Sequence, residues 1–233
     1  MRTVQSSNVF VMGEAVGPQV YRILRERIIQ AELLPGERLS ESDAAKSLSV
    51  SRQPVREAFI KLSEEGLVQV LPQRGTFVTK ISVASVMDVR FVREAIEADI
   101  VRHVAESHAP ETIAELRRQL HEQSKVPHDD RAAFLKLDEL FHRTLAAAAG
   151  KVYAWSVIES VKAQMDRVRF LSVDDMHVGK LIEQHERIVD GIAAGDKAAA
   201  EQAIRLHLRE ILTSLTEIAR FRAELFDDTA PTE

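Results

Sequence analysis

Residues 50–78 read VSRQPVREAFIKLSEEGLVQVLPQRGTFV. Ser51 is of the type that caps a helix, and Pro54 falls in the first turn, where its missing N–H costs little. Gly66 then stops the helix. Val68 to Leu71 and Thr76 to Thr79 read as short strands on either side of an Arg74-Gly75 turn. A helix with Arg52 and Arg56 in its opening turns, followed by a basic hairpin, has the shape of a winged helix-turn-helix. One element fits the DNA major groove and the other lies along the flanking backbone.

The residues before this stretch extend the pattern. Val20, Ile23, Leu24, Ile28 and Ile29 form a helical stripe that should stop near Leu34-Pro35-Gly36. Ser40 and Asp43 open a second short helix at N-cap and capping-box positions. After Ile81 the apolar spacing is helical throughout and no strand pattern occurs. Six helices are expected, at about 83–106, 110–124, 129–149, 151–173, 178–194 and 196–226. The fold class is therefore mainly α: an N-terminal winged helix-turn-helix domain followed by an all-α helical bundle domain. The expected divisions are an arm at 1–13, a DNA-binding domain at 14–81, a helical domain at 82–226 and a tail at 227–233.

Composition sets outer limits. The 233 residues suit one or two domains, and 45% hydrophobic with 29% charged residues is ordinary for a globular chain. Absence of cysteine removes disulfides and thiolate metal sites. No apolar run approaches a membrane span, and the first twelve residues lack a signal-peptide pattern, so no membrane association and a cytoplasmic location are expected. The net charge of −5 is unevenly spread. Glu14 to Lys80 holds ten basic and nine acidic residues, whereas Ile81 onward holds twenty and twenty-seven. The acidity thus sits in the helical part.

The groove-facing end of the helix offers Arg52, Gln53 and Arg56. Arginine can bond guanine O6 and N7 in bidentate fashion, and glutamine can do the same for adenine. At the turn, Gly75 permits close approach and Arg74 can reach phosphate or the minor groove. Any one of these arginines alone reads as solvated surface; the ordered set of caps, breakers, arginines and hairpin points to double-stranded DNA. Leu34-Pro35-Gly36-x-x-Leu39, Ser51-Arg52-x-Pro54-Val55-Arg56-Glu57-Ala58, Glu65-Gly66-Leu67-Val68 and Arg74-Gly75 together resemble the GntR family of bacterial transcriptional regulators. The resemblance implies Ser51, Arg52, Gln53, Pro54, Arg56, Arg74 and Gly75 as DNA-contacting positions. Ser42 departs from it, because many relatives carry arginine there, so one contact is altered or lost.

The helical part carries polar side chains where apolar ones belong. Asp138 and His142, four apart, lie on or beside the stripe of Phe134, Leu137, Phe141, Leu145 and Ala148. His185 sits in the stripe of Leu181, Ile182, Ile188, Val189 and Ile192, and His207 beside that of Ile204, Leu208, Ile211 and Leu215. A buried carboxylate is costly unless compensated. Three histidines and one aspartate brought to one point would be satisfied by a divalent ion such as Zn, Ni, Mn or Fe. Taken singly, each histidine reads better as a core residue bonded to a neighbouring helix; only jointly do they point to a metal. His103, His108, His121, His128 and His177 read as surface.

Asp138-x-x-Phe141-His142-x-x-Leu145, Gln184-His185-x-x-Ile188-Val189-x-x-Ile192-x-x-Gly195-Asp196 and His207-Leu208 resemble the FCD domain, the helical effector domain of FadR-type GntR regulators. The resemblance implies Asp138, His142, His185 and His207 as metal ligands, with Zn, Ni or Mn as the ion, and a small carboxylate beside it. Arg93, in the stripe of Val89, Ile96 and Ile100 with Glu97 one turn on, reads either as a helical ion pair or as a guanidinium for an effector carboxylate. Arg93-x-x-Ile96-Glu97 matches the start of the FCD domain, which favours the effector role; Arg169 is a second candidate.

The expected function is a ligand-responsive transcriptional repressor, not an enzyme. It would bind a pseudo-palindromic operator as a homodimer, because one recognition helix reads too few base pairs. The rival is a metal-dependent hydrolase tethered to a DNA-binding domain; a His/Asp site with open positions could activate water, but no separate general base is evident.

Overall fold

The computed structural model describes residues 10–227 other than 108, 128, 173 and 174. The chain divides into two compact units, Met1–Ile81 and Ser82–Glu233.

In the first unit, α1 (Val16–Ile29), α2 (Glu41–Leu48) and α3 (Arg52–Glu64) pack with a three-stranded antiparallel sheet of order β1-β3-β2. The strands are β1 (Arg38–Leu39), β2 (Val68–Leu71) and β3 (Gly75–Val78). Val20, Leu24 and Ile28 of α1 meet Val55, Ala58, Phe59 and Leu62 of α3 in a core closed by Leu48, Leu67, Val68 and Val78, all buried. The hairpin pairs Val68 with Val78 and Leu71 with Gly75. Ser40 caps α2 by accepting from the Asp43 N–H. Ser51 occupies the N-cap position of α3 in extended conformation, but its hydroxyl makes no capping bond, contrary to expectation.

Two local departures have clear causes. Helix α1 ends at Ile29, before the Pro35-Gly36 breaker, because Ala31 turns left-handed (φ 55°) and lets the Glu32 and Leu33 N–H groups close on the Arg27 carbonyl. The sheet also has a strand, β1, that is only two residues long and too short to leave a periodic signal; it pairs Arg38 with Phe77 and Leu39 with Thr76.

The second unit is all helical: α4 (Val83–Ser107), α5 (Pro110–Ser124), α6 (Arg131–Ala148), α7 (Val152–Val161), α8 (Ala163–Ser172), α9 (Asp175–Ala193) and α10 (Lys197–Phe221). Helices α4 and α10 run antiparallel, since Arg102 reaches Glu201 while Glu94 reaches Arg205 and Arg209. Val101, Val104, Phe141, Leu145, Ile188, Val189, Ile192, Ile204 and Leu208 make one continuous core. Ala146 joins it, whereas Ala148, expected on the inner stripe, is exposed.

The single helix expected over 151–173 is two. The break falls at Lys162 (φ −82°, ψ 0°), whose side chain turns inward and whose Nζ donates to Glu139 (2.8 Å) and Asp166 (2.7 Å). No glycine or proline marks that joint. Similarly α10 stops at Phe221: Arg222 leaves helical geometry (φ −133°), and a 3-10 turn, Ala223–Leu225, tucks Leu225 and Phe226 into the core.

Where α9 passes the start of α10, Gly191 permits a close approach. A Cβ there would lie 2.7 Å from the Ala200 nitrogen and 2.9 Å from its Cα. Alanine would gain about 1 kcal/mol of helix propensity, but overpacking against backbone costs about 1–3 kcal/mol or more. Gly191→Ala is therefore expected to lower the melting temperature of the helical unit by a few degrees. Calorimetry that found it unchanged or raised would show that the helices separate freely there.

Candidate functional site

Helices α6, α9 and α10 bring four polar side chains to one point in the core of the second unit. Asp138 and His142 come from one face of α6, His185 from α9 and His207 from α10, and all four are buried. One ligand atom from each can be chosen so that all lie within 4.8 Å of one another. The Nε2 of His207 is 3.1 Å from that of His142 and 3.3 Å from that of His185. Asp138 Oδ1 lies 3.5 Å from His185 Nε2 and, although buried, has no hydrogen-bond partner among the described residues. Ligand atoms bound at about 2.1 Å to one ion stand roughly 3.0–3.4 Å apart in neighbouring positions. Three imidazole nitrogens and one carboxylate oxygen, without sulfur, suit zinc, nickel or manganese. The residues therefore fit a divalent metal, and the orphaned carboxylate oxygen is the atom that most needs one.

The far nitrogens of the His185 and His207 rings are hydrogen-bonded, and that of His142 lies against a carboxylate. His142 Nδ1 sits 2.5 Å from Glu97 Oε2. His185 Nδ1 is 3.0 Å from Gln123 Oε1, and His207 Nδ1 is 3.0 Å from Gln184 Oε1. Gln123, Gln184 and Glu97 are buried as well. They were not singled out as site residues from the sequence; the only hints were Gln184 beside His185 and Glu97 one turn after Arg93.

Electrostatics follow from burial and pairing. Burial alone would raise the Asp138 carboxyl, but Arg169, which donates to its Oδ2, and then the three histidines outweigh it and hold the group well below the usual carboxylate range. For Glu97, burial is again overcome, by Arg93 and His142, and the pKa falls to about 2. Burial pushes His185 down to about 3 and His207 well below the ordinary imidazole range, so both rings are neutral and able to ligate at physiological pH.

The two candidate effector arginines are both committed to carboxylates. Arg93 Nε donates to Glu97 at 2.7 Å, with a second nitrogen 3.5 Å from Met165 Sδ, and Arg169 holds Asp138. Both line a cavity of about 50 Å³ that also reaches Asp138 and His207. That is room for a few waters or one small carboxylate. Leu135, Leu181, Leu208 and Ile211 make its apolar walls. Of the histidines read as surface, His103 and His121 are exposed; His108, His128 and the His177 side chain lie outside the described residues.

In the first unit, Ser51, Arg52, Gln53 and Arg56 are exposed on the opening turns of α3, and Pro54 is half-buried beneath them. Glu41, at the start of α2, accepts from both arginines: from Arg52 at 3.0 Å and from Arg56 at 3.1 Å through two nitrogens. Gln53 donates to Glu57 at 3.0 Å. Arg74 is exposed at the tip of the hairpin. Gly75 follows it at φ 110°, where an added Cβ would stand 3.0 Å from Arg38 Nε, so glycine is required by conformation and space together.

No helix among the described residues is long and apolar enough to cross a membrane. Residues 17–78 match the model of the bacterial regulatory proteins, gntR family, and residues 88–210 match the FCD domain. The HTH-type transcriptional repressor RspR of Escherichia coli K12 is 39% identical over 217 residues, 92% of this chain and 95% of that protein. Among solved structures, a GntR transcriptional regulator from Rhodococcus sp. RHA1 matches with a TM-score of 0.70 at 28% identity, covering 86% of this chain and 97% of that one. E. coli McbR/YncC shares the fold, with a TM-score of 0.73 at 20% identity over 88% and 98% of the two chains. The first two are described as a transcriptional repressor and a putative transcriptional regulator, and nothing in the comparisons supports the hydrolase alternative. A winged helix-turn-helix followed by an all-helical domain, with matching sequence along both, makes this chain a transcriptional regulator of the GntR family carrying an FCD domain.

Proposed function

We propose that the chain is a metal-containing, effector-responsive repressor acting in the cytoplasm as a homodimer on a pseudo-palindromic operator. The observation that carries the metal and effector reading is the convergence of Asp138, His142, His185 and His207 beside a cavity lined by two arginines. Likeness to a protein described as a repressor supports the sign of regulation. The dimer follows from operator recognition: a single α3 reads too little sequence for genomic specificity. Ser51, Arg52, Gln53, Pro54, Arg56, Arg74 and Gly75 form the DNA-contacting set in this reading. The effector is a small di-acid or hydroxy acid whose carboxylate takes an open position on the ion and meets Arg93, with Arg169 next to it. Its binding shifts the population between arrangements of the DNA-binding domains by the difference in its affinity for them.

Loss of a base-reading arginine should cost about 1–3 kcal/mol of operator binding. Arg52→Ala and Arg56→Ala are each expected to weaken binding roughly tenfold or more in a fluorescence-anisotropy titration at fixed salt. Folded variants that bind the operator as tightly as the parent would remove α3 from the interface.

One divalent ion per chain is expected by elemental analysis. Metal ligation needs neutral imidazole, and a ring that protonates in its ordinary range near pH 6.5 loses affinity tenfold per unit below that. For His185 the folded-state pKa is depressed to about 3. This ring therefore competes with protons only well below the ordinary imidazole range, and zinc affinity is expected to fall less steeply between pH 7.5 and 5.5 than three solvent-exposed imidazoles would give. A steep decline starting at about pH 6.5 would mean that the rings are open to water.

Thermal shift of the zinc-loaded protein against a panel of small carboxylic acids tests the effector. A ligand that binds the folded state raises the melting temperature by mass action. Arg93→Ala should reduce that response while leaving zinc content unchanged. A panel with no stabilising acid, or an equal response in Arg93→Ala, would move the effector site elsewhere.

A further inference from the structure

The rings of the cluster are held from behind by a polar frame, and the orientation of that frame is internally fixed. Gln184 Nε2 donates to Glu210 Oε2 at 3.0 Å, so its Oε1 must be the atom facing His207 Nδ1 at 3.0 Å. Turning the amide over would set an oxygen against the Glu210 carboxylate. Gln123 repeats the device: Nε2 donates to the Leu137 carbonyl at 3.3 Å, leaving Oε1 toward His185 Nδ1 at 3.0 Å. His142 Nδ1 faces the Glu97 carboxylate at 2.5 Å, and that carboxylate is held by Arg93 Nε on its other oxygen at 2.7 Å.

Each glutamine oxygen is an acceptor, so Nδ1 of His185 and of His207 must carry the hydrogen, and the carboxylate beside His142 Nδ1 favours the same position there. The proton position on an imidazole is decided by such contacts. Rings that carry their hydrogen on Nδ1 alone present lone pairs from Nε2. Those Nε2 atoms are 3.1 Å and 3.3 Å apart along the row His142, His207, His185, with the bare Asp138 oxygen 3.5 Å from the last. Lone pairs facing one another repel; a cation among them converts the repulsion into four attractions.

We propose that Glu97, Gln123 and Gln184 are positioning residues of the metal centre, which select the Nε2-ligating tautomer of all three histidines before any ion arrives and thereby set its affinity. The proposal rests on the metal reading above. It adds that Glu97 differs in kind from the two glutamines: it is anionic, and it joins His142 to Arg93, a wall of the cavity.

The test uses the full-length protein, stripped with chelator and titrated with cobalt(II), whose visible absorption reports ligand number and geometry, with zinc competition for affinity. Gln184→Met keeps the shape and removes the acceptor. It is expected to weaken cobalt and zinc binding about 10–100-fold and to alter the absorption band, with helix content and the melting temperature of the stripped protein little changed. The double variant Gln184→Glu with Glu210→Gln exchanges carboxylate and amide, keeps an acceptor on His207, and should return affinity to within a few-fold of the parent. Gln123→Met provides the same comparison on His185 should Gln184→Met fail to fold. Parent-like cobalt binding in a glutamine-to-methionine variant, or a double variant as weak as Gln184→Met alone, would overturn the proposal while leaving the metal intact. A parent protein that takes up neither cobalt nor zinc would overturn the metal reading itself.

Discussion

An ionised carboxylate with no solvent exposure sits at the centre of the helical unit, and the arrangement around it is the answer to that cost. Stripping a carboxylate of water costs several kcal/mol even after relaxation. Asp138 recovers part of this from the Arg169 guanidinium on one oxygen. The other oxygen is left without a hydrogen bond beside the imidazoles, of which burial keeps His185 and His207 neutral. Helices α6, α9 and α10 must therefore cross where they do: a small slip of one against another would separate the donors and leave a bare charge in an apolar core. Packing supplies the precision, with Phe141 stacked on the His185 ring at 4.3 Å between centroids.

The same logic explains the unusual polarity of α4. Arg93, Glu94 and Glu97 are all buried there, in a helix whose other inward residues are valine, isoleucine and alanine. Glu94 is neutralised by Arg90, Arg205 and Arg209 and ties α4 to α10. Glu97 is neutralised by Arg93 and turns toward His142. One ion-pair set joins helices and the other reaches the centre, though they are separated by less than one turn of α4.

Much of this was legible in the sequence because burial imposes a period. Asp138, His142, His185 and His207 stood out as polar groups at positions where the helical spacing calls for apolar ones, and the breakers and caps around α2 and α3 outlined the first unit. What escaped was whatever lacks a period. Gln123 and Gln184 carry a side chain that is usually solvated, so nothing in their spacing distinguishes them from surface glutamines. The Arg169–Asp138 pair spans 31 residues and two helix joints. The joint at Lys162 carries no glycine or proline, and the inward turn of its charge is visible only once Glu139 and Asp166 are in place. Arg93 was open to two readings, and the helical pair with Glu97 is the contact it makes.

Glu41 gives the DNA-binding unit an internal counterion. Its two oxygens already accept from Arg52 and Arg56, so a duplex does not meet two free cations. If these arginines contact DNA as proposed, a phosphate or a guanine edge competes with the Glu41 carboxylate for them, and association becomes in part an exchange of one anionic partner for another. Salt dependence of protein–DNA binding counts the small ions set free from the nucleic acid by incoming positive charge. A carboxylate travelling with its arginines brings compensating charge into the groove, so the logarithmic salt slope should be shallower than the number of arginines on α3 and the hairpin implies. Discrimination between sequences then gains relative to affinity, because only sites that offer better acceptors than Glu41 draw the arginines away from it.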